Sequence, residues 1–282
     1  MSSVGQWKSR TLLLVAAGLV AALMFVPYGY LAVYPFRLFG TFIHEVGHAV
    51  AAVVTGGYVE SMIVNLDTSG YVKSGGGIRP IVASAGYLSS VAVGAALLFA
   101  GRRRAWAQKT LVVVGVAALM ATAFFGGYGG YMPSLIAFAV FSAGLGSVAY
   151  GKRKKSGGAR TKYVVTGVAA VAAAMVYVAF LGGLLTWAIG LTMGGAILFV
   201  ALYGSRLVQH LTVLFLGVQI SLDGLNSIQV LWNITNRGHG HNDAATMAEY
   251  TGLPAAFWAI LWGLMGVAVI GGAFWSFWRQ ER

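Results

Sequence analysis

Two histidines and a glutamate stand at a telling spacing in His44-Glu45-Val46-Gly47-His48. On a helix, residues four apart share a face, so both imidazoles point at one spot. Two ligands of a zinc ion need that arrangement. Glu45 sits on the adjacent flank, where it can reach a water at the metal and act as general base. The flanks from residue 38 to 54 are otherwise apolar. Ionisable groups in such a run are costly in lipid and mark functional sites. A helix whose histidines merely bond to neighbouring carbonyls explains neither Glu45 nor the four-residue spacing.

A catalytic zinc takes three protein ligands and keeps one position open for water. Cysteine is absent, so the third ligand must be His, Asp or Glu. The seven acids are Glu45, Glu60, Asp67, Asp223, Asp243, Glu249 and Glu281. Asp223 leads, because it lies deep in the apolar run 207–234, at a depth that matches the two histidines. An unpaired carboxylate there costs several kcal/mol, roughly, and a metal offsets that cost. Gly224 beside it lets another helix approach closely. The plainer alternative is a hydrogen bond from Asp223 across a helix interface. Asp243 is the rival, in a polar segment before the last apolar run, where it can instead cap a helix starting at Ala244. His239 and His241 in the same segment read as a solvated loop, and His210, near a helix start, as interfacial.

The elements that must position these groups are membrane helices. Of 282 residues 58% are hydrophobic and 9% charged, against about 25% charged in soluble domains. That excludes an ordinary cytosolic protein and points to a polytopic membrane protein. The 40 glycines are small residues that let membrane helices pack closely. The formal charge of +12 comes from bases clustered between apolar runs, at 102–104 and 152–162. These read as positive-inside topology signals. No nucleic-acid motif or aromatic-interleaved basic surface is present, so no nucleic-acid partner is expected.

The expected fold is an all-α polytopic membrane protein, with about eight to nine transmembrane or re-entrant helices. The zinc-motif helix covers 38–56. A small β-hairpin follows at 58–72, where β-branched and aromatic residues partly alternate and Asp67-Thr68-Ser69-Gly70 makes the turn. A helical bundle covers 79–278, and the whole of 1–282 reads as one integral membrane domain. Placing the basic segments from residue 102 onward in the cytoplasm gives consistent alternation. Carried backwards, the alternation puts the N-terminus outside, against Lys8 and Arg10, unless the His-Glu helix is re-entrant.

These residues resemble the site-2 protease family of intramembrane zinc metalloproteases. Its members carry H-E-x-x-H on one membrane helix and L-D-G on a later one, matched here by His44 to His48 and by Leu222-Asp223-Gly224. The likeness is closer to a compact M50B-like branch, at Phe42 to Ala49, Thr55-Gly56-Gly57, Val64 to Gly70, Ala85 to Leu88 and Asn242-Asp243-Ala244. The resemblance implies zinc held by His44, His48 and Asp223, with Glu45 as general base. There are departures, and Asp243 stays in view as the alternative third ligand. The Asn and Pro that precede L-D-G in the longer pattern are missing. Asn242-Asp243-Ala244 also stands where the compact branch has a Ser-Asp-Ala element.

The expected activity is zinc-dependent endopeptidase cleavage in or near membrane segments. The substrate would be a membrane protein or peptide, and the other partner is the lipid bilayer. The expected location is multi-pass, in a bacterial plasma membrane for preference. The competing reading is a non-proteolytic scaffold or transporter that kept the motif. Transport predicts ionisable groups in discontinuous helices of both halves, and the middle helices carry almost none.

Overall fold

The computed structural model describes residues 9–154, 158–237 and 242–279. Ten α-helices and three short strands follow one another in these residues. They are α1 (Ser9–Phe25), α2 (Gly29–Val54), β1 (Tyr58–Val64), β2 (Gly70–Gly75), α3 (Arg79–Gly101), α4 (Ala107–Phe125), β3 (Gly127–Tyr128), α5 (Tyr131–Arg153), α6 (Gly158–Phe180), α7 (Leu184–Tyr203), α8 (Arg206–Arg237), α9 (Asp243–Thr251) and α10 (Ala255–Arg279). Seven helices among the described residues are long and apolar enough to cross a membrane. The protein is therefore an all-α polytopic membrane protein with a small antiparallel sheet, as the apolar runs imply. The motif helix departs from its expected start. It begins at Gly29 and runs through Pro35, which removes one backbone donor without ending the helix.

Small residues set how closely α2 meets its neighbours. A Cβ built on Gly47 would lie 2.1 Å from Ser89 Oγ of α3. A Cβ on Gly40 would lie 2.9 Å from Asp223 Oδ2 of α8. Only glycine permits these approaches, so α2 is held between α3 and α8. Phe39, Phe42, Met62, Leu111, Ile189, Leu216 and Ile220 form the main core around it.

The strands pair in the order β2-β1-β3. The β1–β2 hairpin turns at residues 65–69, where Asn65 N–H donates to Ser69 O over 2.8 Å and Thr68 takes a left-handed φ of 66°. Asp67 Oδ1 accepts the Ser69 N–H at 2.9 Å, closing an Asx-type turn. The hairpin folds back along α2. At its tip Leu66 O accepts from the Tyr34 hydroxyl, and Thr68 O accepts from Thr41 Oγ1 at 2.7 Å. Thr186 Oγ1 of α7 accepts the Val64 N–H at 2.9 Å and pins the end of β1.

At the other end of the bundle, Ser9 Oγ donates to Arg102 O at 3.0 Å and Arg10 Nε to Phe277 O at 2.8 Å. The start of α1 thus lies beside the basic 102–104 segment, where positive-inside logic places Arg10 as well. His210, near the start of α8, is buried against the end of α3, with Nε2 2.6 Å from Gly101 O beside the basic 102–104 segment.

Candidate metal centre

His44 and His48 lie one turn apart on α2, and their Nε2 atoms are 3.1 Å from each other. The His48 Nδ1–H donates to Val82 O at 2.7 Å. That bond fixes the ring and leaves the Nε2 lone pair for a ligand. Val82 sits near the start of α3, so the pair of histidines lies toward one end of the bundle. Tyr87 of α3 meets the His44 ring edge-on at 4.7 Å and stacks on Trp262 of α10 at 5.1 Å.

The third group comes from α9. Asp243 Oδ2 stands 3.3 Å from His48 Nε2 and 3.6 Å from His44 Nε2. Asn242, not Asp243, caps this helix, its Oδ1 accepting the Ala245 N–H at 3.0 Å. Ala244 and Met247 are buried against Tyr87 and Trp262, and this packing turns the start of α9 into the bundle. Burial by itself pushes the Asp243 carboxyl up. A protonated His48 imidazole and hydrogen bonds from both rings outweigh it and hold the group well below the ordinary carboxylate range, and an ion at the same nitrogens would supply that positive charge in place of the proton. The site thus presents an anion facing two ring nitrogens.

These three side chains form a group of ligand atoms all within 4.8 Å of one another. Their separations of 3.1, 3.3 and 3.6 Å are close to the edge of roughly 3.3 Å expected for a tetrahedron with metal–ligand bonds of 2.0–2.1 Å. Space has been left above the nitrogens as well. A Cβ on Gly86 would come within 2.3 Å of Nε2 of both histidines. The donor set, its spacing and this clearance fit a metal ion.

Asp223, the expected third ligand, is not in this group. Its carboxylate accepts 3.1 Å bonds from Gln219 Nε2 and lies against Gly40, one turn before His44. It lines the same cavity, of about 780 Å³, as His44, Glu45, His48 and Asp243. The depth argument that favoured it assumed a metal in mid-membrane. The histidines sit instead near the start of α3, where α9 folds in. His239 and His241 lie outside the described residues.

Glu45 is buried, and its Oε2 has no hydrogen-bond partner among the described residues. The first residue of β2 covers the other oxygen, since a Cβ on Gly70 would be 2.6 Å from Glu45 Oε1. Among the described residues β2 pairs only with β1, and residues 70–74 line the cavity along its other edge. No motif in the sequence announced Gly70 or Gly86 as site residues. Their only signal was glycine within the resemblance segments 64–70 and 85–88.

A family model described as Peptidase M50B-like matches residues 15–153 and 124–273 of the chain. No curated protein and no solved structure matches it.

Proposed function

The chain belongs to the Peptidase M50B-like family, a site-2 protease-like group of metallopeptidases, and we propose that it is an intramembrane zinc-dependent endopeptidase. His44, His48 and Asp243 would hold the zinc. Zinc held there would polarise the scissile carbonyl and make a water nucleophilic near neutral pH. The observation that carries the reading is the clustering of these three donors beside the buried carboxylate of Glu45, whose Oε2 has no hydrogen-bond partner among the described residues.

Glu45 takes a proton from the attacking water and delivers it to the leaving amine. The Val82 carbonyl holds the His48 ring in its tautomer through Nδ1–H. Asp223 remains on the cavity wall, held by Gln219, and does not complete the donor set. A peptide bond within a helix is shielded, so the substrate must unwind. The edge of β2 that is unpaired among the described residues offers backbone donors and acceptors to such an extended segment, with Gly70 letting it pass close to Glu45. The substrate class is a membrane protein or peptide.

Metal analysis and cleavage of a membrane peptide test the reading together. His48→Ala should lose zinc and activity, while Glu45→Gln should keep zinc and lose activity. Full zinc content in His48→Ala, or normal cleavage by Glu45→Gln, contradicts it.

A further inference from the structure

The face of α2 turned away from the histidines borders a second cavity, of about 1000 Å³. Gly47 brings α2 tightly onto α3, while α4 packs mainly on α7, through Gly115 and Gly194, and leaves a groove. Ile43, Val46 and Val50 form one wall, Val93 and Ala96 the floor, and Val113 and Ala117 the far wall. Among the described residues no acidic one lines it. Its one charged lining residue, Lys109, stands at one end beside Trp106. There the Arg103 guanidinium lies 5.1 Å over the Trp106 ring, in the basic 102–104 segment.

We propose that this groove binds one anionic phospholipid, with its acyl chains between α2, α3 and α4 and its phosphate at Lys109. Length decides between a lipid and a transmembrane helix. The groove follows α4 for twelve residues (121 − 109) and α2 and α3 for fifteen each (54 − 39 and 100 − 85), or about 18–22 Å at 1.5 Å per residue. One leaflet with its headgroups is about 20–22 Å deep, whereas a spanning helix must cover about 30 Å of hydrocarbon. Charge decides the kind of lipid. Basic pockets between membrane helices favour anionic headgroups, and among the described residues every charged group at the mouth is basic. The chains would press on Ile43, Val46 and Val50, which alternate with His44, Glu45 and His48 along α2, so the lipid braces the helix that carries the motif.

The test uses the full chain, delipidated in detergent. Native mass spectrometry follows titration with dioleoyl phosphatidylglycerol or dioleoyl phosphatidylcholine. One phosphatidylglycerol per chain should persist, with phosphatidylcholine at least fivefold weaker. Lys109→Gln should reduce phosphatidylglycerol to the phosphatidylcholine level. Ala117→Trp should block both lipids, its ring filling the groove from an exposed position. Ala96→Trp repeats that test from the floor should Ala117→Trp fail to fold. Equal binding of the two lipids, or unchanged phosphatidylglycerol in both tryptophan variants, overturns the proposal. So does a photo-cross-linker at Ala117 that captures polypeptide in place of lipid.

Discussion

Asp243 Oδ2 lies 3.3 Å from His48 Nε2, although the two residues belong to opposite ends of the chain. The contact exists because Asn242 starts α9 and the buried Ala244 and Met247 draw it against α3 and α10. Neither hydropathy nor sequence distance hints at it.

The first prediction follows from that contact. Asp243→Ala should lower metal affinity by more than about 100-fold, beyond the range typical for groups outside the ligand set. Asp223→Ala should retain the metal. Metal content of the two purified variants, measured side by side, decides the assignment, and retention in Asp243→Ala with loss in Asp223→Ala reverses it.

Gly86→Ala should also cost metal. The added methyl enters the space between the two Nε2 atoms, and affinity should drop at least tenfold, roughly. In an ordinary helix the same change gains up to about 1 kcal/mol. Circular dichroism should therefore show an intact helical protein with a depleted site. An unchanged metal content would mean that the methyl is accommodated elsewhere.

Gly70→Ala should separate binding of metal from turnover. Its methyl meets Glu45 Oε1 and not the imidazoles. Displacing the proposed general base by about 1 Å should cost on the order of 100-fold in rate. Zinc content should stay at the wild-type level, and an equal loss of both would place Gly70 among the supports of the metal.

Topology gives the fourth expectation. Helices α4 and α5 separate residue 104 from residue 154, and α6 and α7 separate 154 from 205. Reporter fusions after Arg104, Lys154 and Ser205 should report one side, the cytoplasm by the positive-inside rule. A fusion after Tyr128 should report the other. Opposite readings at 104 and 154 would remove one of the two crossings between them.

Features local to the chain are legible in the order of its residues. His44, Glu45 and His48 are set by one helical turn, and the hairpin by alternation and the Asp67–Gly70 turn. The membrane helices follow from runs of apolar residues, which hold their own backbone bonds. What sequence does not reveal is set by packing between distant elements. His210 reads as interfacial from its position near a helix start, but its partner, Gly101 at the end of α3, is not written in the sequence. Asp223 fits the depth of an apolar run, but the structure puts Asp243 beside the histidines, on a helix that apolarity alone would leave at the surface. Gly70 and Gly86 matter for atoms they lack, and composition does not show where a missing Cβ leaves room.

The hydrogen bond from His48 to Val82 and the contact with Asp243 also fix an order in time. Asp243 follows His48 by 195 residues (243 − 48) in the chain. At about 5–20 residues per second of synthesis, the last donor emerges roughly ten to forty seconds after the histidines. Throughout that interval the nascent protein can offer an ion two imidazoles but no Asp243 carboxylate. On the proposed donor set, acquisition of the metal is a late event in biogenesis, and a truncated chain ending before α9 should insert most of its bundle yet stay inert.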